Sequence, residues 1–324
     1  FKLTQERLLK IQQQALAKQS IDVEPLKKTV IDILVSLESK PEALLLLLNV
    51  KNRDAYTTEH QLRVSILALG FGLFLGMSRE QLKSLGLAGL LFDIGKARMP
   101  SLLLNKPAKI TREDAMLLQH HPQESFKILS TIPNLSEVVK EVALSHHERI
   151  DGKGYPRHIH KDRVSRYAKI ISIIDTYDAL ISDRSYARAK SATEAIEILK
   201  KNSGDKFDRF LVDKFVEWLT PYPVGSIVEL KSGEVAIVLK NYHQQPSKPK
   251  LLIVSDKMHR TNKQTILDLS LDPTHSKGSK YEIWNVLLDG VDGIQLKSFL
   301  DKDSLGVSIW NKNAKKSSPF ESFL

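Results

Sequence analysis

Pro221-Tyr222-Pro223 divides this sequence into two parts that obey different periods. Ahead of it, apolar residues such as Val30, Ile33, Leu34 and Leu37 recur at helical spacing, the repeat of a helix with one buried face. Behind it, Ser226 to Lys231, the turn Lys231-Ser232-Gly233-Glu234 and Val235 to Leu239 read as a β-hairpin, with further strands at Leu251 to Val254 and Glu282 to Leu288. The chain is therefore expected to be mainly α, with a small C-terminal β-rich appendage. The reading divides it into an N-terminal helical leader or linker over 1–50, a helical domain over 51–220, a β-rich domain over 221–300 and a flexible tail over 301–324.

A chain of 324 residues, 42% of them apolar, can build a sizeable core in more than one unit. The longest apolar runs, Val64 to Met77 and Ala43 to Val50, fall short of the roughly 18 to 20 residues that a membrane-spanning helix needs, so they read as buried helices. Phe1 and not methionine opens the chain, which leaves room for an upstream domain. The chain has no cysteine, so any metal must rest on His, Asp or Glu, a donor set that suits iron or manganese. A formal charge of +10 helps attract an anionic ligand. Its lysines and arginines are spread among acids without a dense basic block, so a nucleic-acid polymer is not an expected partner.

The densest chemistry lies in His146-His147-Glu148-Arg149-Ile150-Asp151-Gly152-Lys153-Gly154-Tyr155-Pro156, where a helix over 135–147 is predicted to end. Adjacent helical side chains point about 100° apart, so both imidazoles serve one site only if it is extended, as a pair of metal ions is. Two glycines give the following loop backbone freedom and Tyr155-Pro156 stiffens its exit, as at the rim of a pocket. Taken alone, the stretch reads equally well as a helix C-cap with two surface histidines.

Other candidates are scattered upstream and downstream. His60 sits in the first turns of a helix with Thr57 or Thr58 as its N-cap, where a lone histidine is ordinarily structural. The glycines at 70, 72 and 76 of that helix read as close-packing positions. Thr111 and Asp114 have capping-box spacing ahead of a helix that reaches His120-His121-Pro122, with His120 read as a surface residue. Asp175 and Asp178 share one face of a helix over 164–181, and Asp175 follows Ile170, Ile171, Ile173 and Ile174. A carboxylate beside so apolar a run needs a metal or a hydrogen bond as partner.

His-His-Glu-x-x-Asp-Gly-x-Gly-Tyr-Pro resembles the signature of the HD-GYP family, metal-dependent phosphodiesterases of the HD superfamily that hydrolyse the bacterial second messenger cyclic di-GMP. Asp54-x-Tyr-Thr-x-x-His60, Asp93-Ile94-Gly95-Lys96, His121 before Pro122, Asp175 and Ser182-Asp183-Arg184 match further family positions, over roughly residues 54 to 200. The resemblance implies an HD-type helical bundle, a cytoplasmic location and two metal ions. One ion would draw on His60, Asp93 and Asp175, the other on Asp93, His121, His146 and His147, with Asp93 shared. It implies Asp93 and Lys96 as catalytic groups, and Lys96, Tyr155, Arg184 and Arg188 around the substrate. Two positions depart from the pattern: Phe92 stands where the family has a metal-binding histidine, and Ala187 where it has a second basic residue, with Arg188 one place late. Two functions follow as expectations: hydrolysis of cyclic di-GMP with a weakened metal site, or binding of cyclic di-GMP or a protein partner without turnover. A leader helix that dimerises the chain is a further expectation, beside simple core packing.

Overall fold

The computed structural model describes residues 2–48, 56–104, 106, 111–182, 189–256, 261–275 and 278–299. Its helices are α1 Lys2–Leu16, α2 Glu24–Ser39, α3 Pro41–Leu48, α4 Tyr56–Phe74, α5 Arg79–Leu91, α6 Ser101–Leu104, α7 Arg112–Leu118 and α8 His121–Ser130. They continue as α9 Glu137–Ser145, α10 Arg166–Ile181, α11 Ala192–Lys201 and α12 Arg209–Leu219. The strands are β1 Ile227–Leu230, β2 Val235–Lys240, β3 Lys250–Ser255, β4 Thr261–Asp268 and β5 Ile283–Leu287. Contacts group the chain into one unit of residues 1–39, 54–189 and 195–215 and another of 40–53, 190–194 and 216–324. The expected leader over 1–50 is thus split. Leu8, Ile11 and Ala15 bury the face of α1 that meets α4, whereas Leu46 of α3 joins the core under β2.

The helical unit is built around α4, which is buried on nearly every side from Thr58 to Phe71, as expected of a central helix without a polar face. α5, α10 and α1 pack against it. Gly89 sets the α4–α5 distance: a Cβ there would stand 2.7 Å from Ser65 Cα, so any side chain would force the helices apart. Phe215 of α12 meets Phe71 of α4 and Tyr177 of α10 edge-on, at centroid distances of 5.2 and 5.4 Å.

Local details differ from two sequence expectations. α4 begins at Tyr56, so Thr58 is a buried residue of its first turn and not a cap. Gly72 is a packing glycine, with Leu82 Cδ2 2.7 Å from a built Cβ, but Gly76 meets nothing within 4 Å and has φ +68°. It ends α4: Met77 N–H donates to Gly72 O and Gly76 N–H to Leu73 O, the paired bonds of a left-handed helix stop. The Thr111–Asp114 capping box forms as expected.

The second unit carries an antiparallel sheet of order β4-β3-β2-β1-β5. Both faces are covered, so β2 reads as a continuous apolar run with no alternation. Ile227, Ile237 and Leu252 enter one core and Val228, Ala236 and Leu251 the other. The hairpin turn closes at Gly233, φ +98°, a backbone state that suits glycine. The tail expected over 301–324 lies outside the described residues, and β4 was not expected from sequence.

Candidate metal centre

Four candidates are delivered by helix ends. Asp93 follows α5, His121 opens α8, His146 caps α9 and His147 comes next. One ligand atom from each lies within 4.8 Å of all the others. Gly95 lets this convergence happen: a Cβ there would stand 2.3 Å from His121 O, and its N–H donates to Ser125 Oγ at 2.8 Å.

The hydrogen bonds around these residues fix where their protons are. His121 Nδ1 lies 2.6 Å from Leu118 O, and His146 Nδ1 lies 3.2 and 3.0 Å from Val142 O and Ala143 O. A carbonyl only accepts, so both Nδ1 atoms carry hydrogen, and in a neutral ring Nε2 is then the atom with the lone pair. Those Nε2 atoms lie 3.3 Å apart, and Asp93 Oδ1 stands 3.1 Å from one and 3.6 Å from the other. Burial lowers the His121 pKa by more than Asp93 restores, and burial with the neighbouring His146 and His121 holds His147 well below the usual histidine range. Polar atoms buried this close together are costly unless a proton or a cation joins them. The donor set of three imidazoles and a carboxylate fits a divalent ion.

The other candidates form a different kind of cluster. His60 Nδ1 lies 2.7 Å from Asp178 Oδ2 and its Nε2 2.9 Å from Asp175 Oδ1. Burial alone would lower the His60 pKa, but Asp175 and Asp178 outweigh it and raise it, so His60 is an imidazolium donating from both nitrogens. Arg63, one turn along α4, grips Asp178 with Nε at 2.8 Å and Nη2 at 3.1 Å, and also donates to Ser182 Oγ at 2.6 Å. Each of the two carboxylates here has a donor. Phe92 touches a ring of each cluster edge-on, 5.9 Å from His60 and 4.9 Å from His146.

Lys96 donates to Asp93 Oδ2, and its charge, with His121, holds the Asp93 carboxyl well below the usual carboxylate range despite burial that acts the other way. The glycine loop folds back over this floor. Tyr155 stacks on His147 at 4.7 Å, and Tyr155 N–H donates to His147 O at 3.2 Å. Gly154 has no room for a side chain, since a Cβ would stand 2.3 Å from Arg149 N. Buried Glu148 shapes the loop by accepting from Arg157 N at 2.7 Å and Ile159 N at 3.2 Å.

Sequence reading assigned no role to Arg63, Asp178 or Glu148. Arg63 lies three residues after His60, and so on the same helix face, which is the signal that was available. Glu148 sits inside the recognised motif but bonds only to backbone. His120 is exposed, as expected. Arg184, Ala187 and Arg188 lie outside the described residues.

The family described as HD domain matches residues 45–211. Among curated proteins, the chain is similar to the cyclic di-GMP phosphodiesterase PA4108 of Pseudomonas aeruginosa, 36% identical over 235 residues that make up 72% of this chain and 56% of that protein. It is also similar to the 3'3'-cGAMP-specific phosphodiesterase 1 of Vibrio cholerae, 33% identical over 188 residues, 58% of this chain and 43% of that one. The chain thus spans about half the length of these curated relatives. Among solved structures, Bd1817, an HDG"Y"P protein from Bdellovibrio bacteriovorus, aligns over 67% of this chain and 69% of its own with a TM-score of 0.57 and 21% identity, a likeness of fold.

Proposed function

The chain belongs to the HD domain family, in its HD-GYP branch, and on that premise we propose that it is a metal-dependent hydrolase of a cyclic dinucleotide, cyclic di-GMP first among them. The observation that supports this reading most is the convergence of Asp93 with the Nε2 atoms of His121 and His146, beside His147. These four residues would hold one divalent ion, iron or manganese by their donor chemistry. Such an ion supplies Lewis acidity, withdrawing charge from a phosphoryl oxygen and making water a better nucleophile at neutral pH.

The chain's own groups do the rest. Lys96, anchored on Asp93, offers a compact positive charge to a non-bridging phosphate oxygen. Tyr155, stacked on His147, walls the site, and the loop shaped by Glu148 limits access of bulk water. Arg184 and Arg188 are assigned to further phosphate contacts by their place in the motif. His60 and Asp175, with Asp93, would hold a second ion more weakly, since a proton already lies between His60 and Asp175.

A second reading has its own observation in its favour. Phe92 places a hydrocarbon ring against His60 and His146 where the family has a donor atom, and that favours binding of cyclic di-GMP, or of a protein partner, without turnover. A homodimer and a cytoplasmic location belong to the same proposal. The test is metal content per chain of anaerobically purified protein, with cyclic di-GMP and 3'3'-cGAMP turnover assayed on the same sample. Metal with turnover supports the hydrolase. One ion without turnover, but with dinucleotide binding, replaces it with the binding reading, and absence of both metal and dinucleotide binding ends both.

A further inference from the structure

A second lysine, far from Lys96 in sequence, is held beside the same site. The turn at 203–207 is stapled to the histidine loop by two backbone bonds, Ile150 N–H to Lys206 O at 3.3 Å and Asp151 N–H to Asp205 O at 3.1 Å. The next residues tie it to the helix that carries Asp175, through Lys169 Nζ to Asp208 Oδ2 at 3.5 Å. The Lys206 backbone is therefore fixed between the loop and α10. Its side chain is half-buried, with Nζ 4.8 Å from the centroid of the buried Phe207 ring. No carboxylate lies within ion-pair distance of Lys206 Nζ among the described residues.

Two charges act on this ammonium besides its burial. Burial pushes its pKa down, Asp175 pushes it back up, and the Arg149 guanidinium lowers it again. Lys96 acts on Asp175 as well, so two ammonium groups stand within electrostatic reach of one carboxylate of the site. Arg149 is already matched, as it grips Asp151 at 3.0 and 2.6 Å. Lys206 has no carboxylate in direct contact, and a partly desolvated cation held off its counter-charge is an unfavourable resting arrangement that a closer anion relieves. An ammonium is a strongly hydrated point charge without the planar fork that reads a base edge, so a phosphate oxygen is the anion it fits.

We propose that Lys206 supplies a cationic contact to a phosphate of the dinucleotide bound at the metal centre, a substrate-binding role separate from that of Lys96. This rests on the dinucleotide reading above. Lys206→Met keeps the apolar stem on Phe207 and removes only the charge, whereas Lys206→Arg keeps the charge. Calorimetric titration with cyclic di-GMP at several salt concentrations is expected to show binding weakened roughly 10- to 100-fold in Lys206→Met, with a shallower salt dependence, and restored to within about threefold in Lys206→Arg. Metal content should be the same in all three proteins. Affinity of Lys206→Met within twofold of wild type overturns the proposal.

A second probe separates this idea from the reading it rests on. The Lys206 side-chain resonance of lysine-labelled protein, assigned by its loss in Lys206→Met, is followed during titration with inorganic phosphate. If wild type binds no cyclic di-GMP yet phosphate moves this resonance, the anion contact stands and the dinucleotide reading falls. If neither ligand has an effect, the Lys206 contact falls too.

Discussion

In one half of the site three ligand atoms converge within 3.6 Å of one another, whereas in the other half each carboxylate already has a donor. Asp93, His121, His146 and His147 form the first half, and His60, Asp175, Asp178 and Arg63 the second. Both are buried, both mix imidazole with carboxylate, and both lie against Phe92. What separates them is the use of the second imidazole nitrogen. His121 and His146 spend Nδ1–H on backbone carbonyls and turn Nε2 toward Asp93, but His60 spends both nitrogens on carboxylates. A residue list cannot distinguish a metal-ready histidine from a proton-filled one, and the hydrogen bond at the far nitrogen can.

The largest effect is expected from breaking the proton-filled half. Asp178→Ala removes the carboxylate that Arg63 grips from two nitrogens and one of the two that flank His60, and should cost about 3 to 5 kcal/mol of stability in urea denaturation. Metal content in the other half should not change. A loss under about 1 kcal/mol would mean that this cluster is not the internally compensated unit described here.

His146→Ala breaks the other half and should act through the ion. At 100 times its dissociation constant a bound metal stabilises the native state by about 2.7 kcal/mol, and that increment, read as the fall in Tm on adding chelator, should vanish in the variant. His60→Ala should leave the chelator effect in place. Equal losses in the two variants would show that the halves share one ion and would erase the contrast.

Acid should also tell the halves apart. Burial alone would raise the Asp178 pKa, but Arg63 and His60 outweigh it and hold it at about 2, against 3.8 in the unfolded chain. A depressed carboxyl contributes fully above pH 3.8 and loses its contribution as pH falls through 2, so about 2 kcal/mol should disappear over that window in metal-free protein. His60 runs the other way: its raised pKa contributes fully below 6.5 and is lost as pH rises through the folded value. In Asp178→Asn the acid-side loss should shrink. An unchanged acid profile would remove Asp178 from the account.

These contrasts mark what could be read from the chain and what could not. The helical period before Pro221-Tyr222-Pro223 and the hairpin around Gly233 are local signals, and both elements formed where expected. β4 was missed because Thr261–Asp268 mixes Asn, Lys, Gln and Asp into the strand, and its place is set by pairing with β3. The division of α1, α2 and α3 between two units is equally non-local, since Leu8 and Leu46 carry no mark of which core they enter. The candidate ligands were legible as a motif. The proton on His60 was not, because it depends on Asp178, 118 residues away, and on Arg63, whose partner is equally remote.

Phe92 is the residue at which the comparison is most open to change. Its ring is fully buried and touches His60 and His146, so its replacement alters both halves at once. In Phe92→His a smaller, donor-bearing ring would lie against His60 and His146, and a second ion could then compete with the proton on His60. A ligand gained should tighten that ion by at least the roughly tenfold associated with outer-shell partners, about 1.4 kcal/mol. Elemental analysis should then show a rise from about one ion per chain toward two, with cyclic di-GMP turnover rising alongside if the substrate contacts are complete. If the stoichiometry stays at its wild-type value, Phe92 is not what keeps the second ion out. The locked imidazolium of His60 then becomes the barrier, and the double variant with Asp178→Asn, which loosens that lock, is the one that should admit the metal.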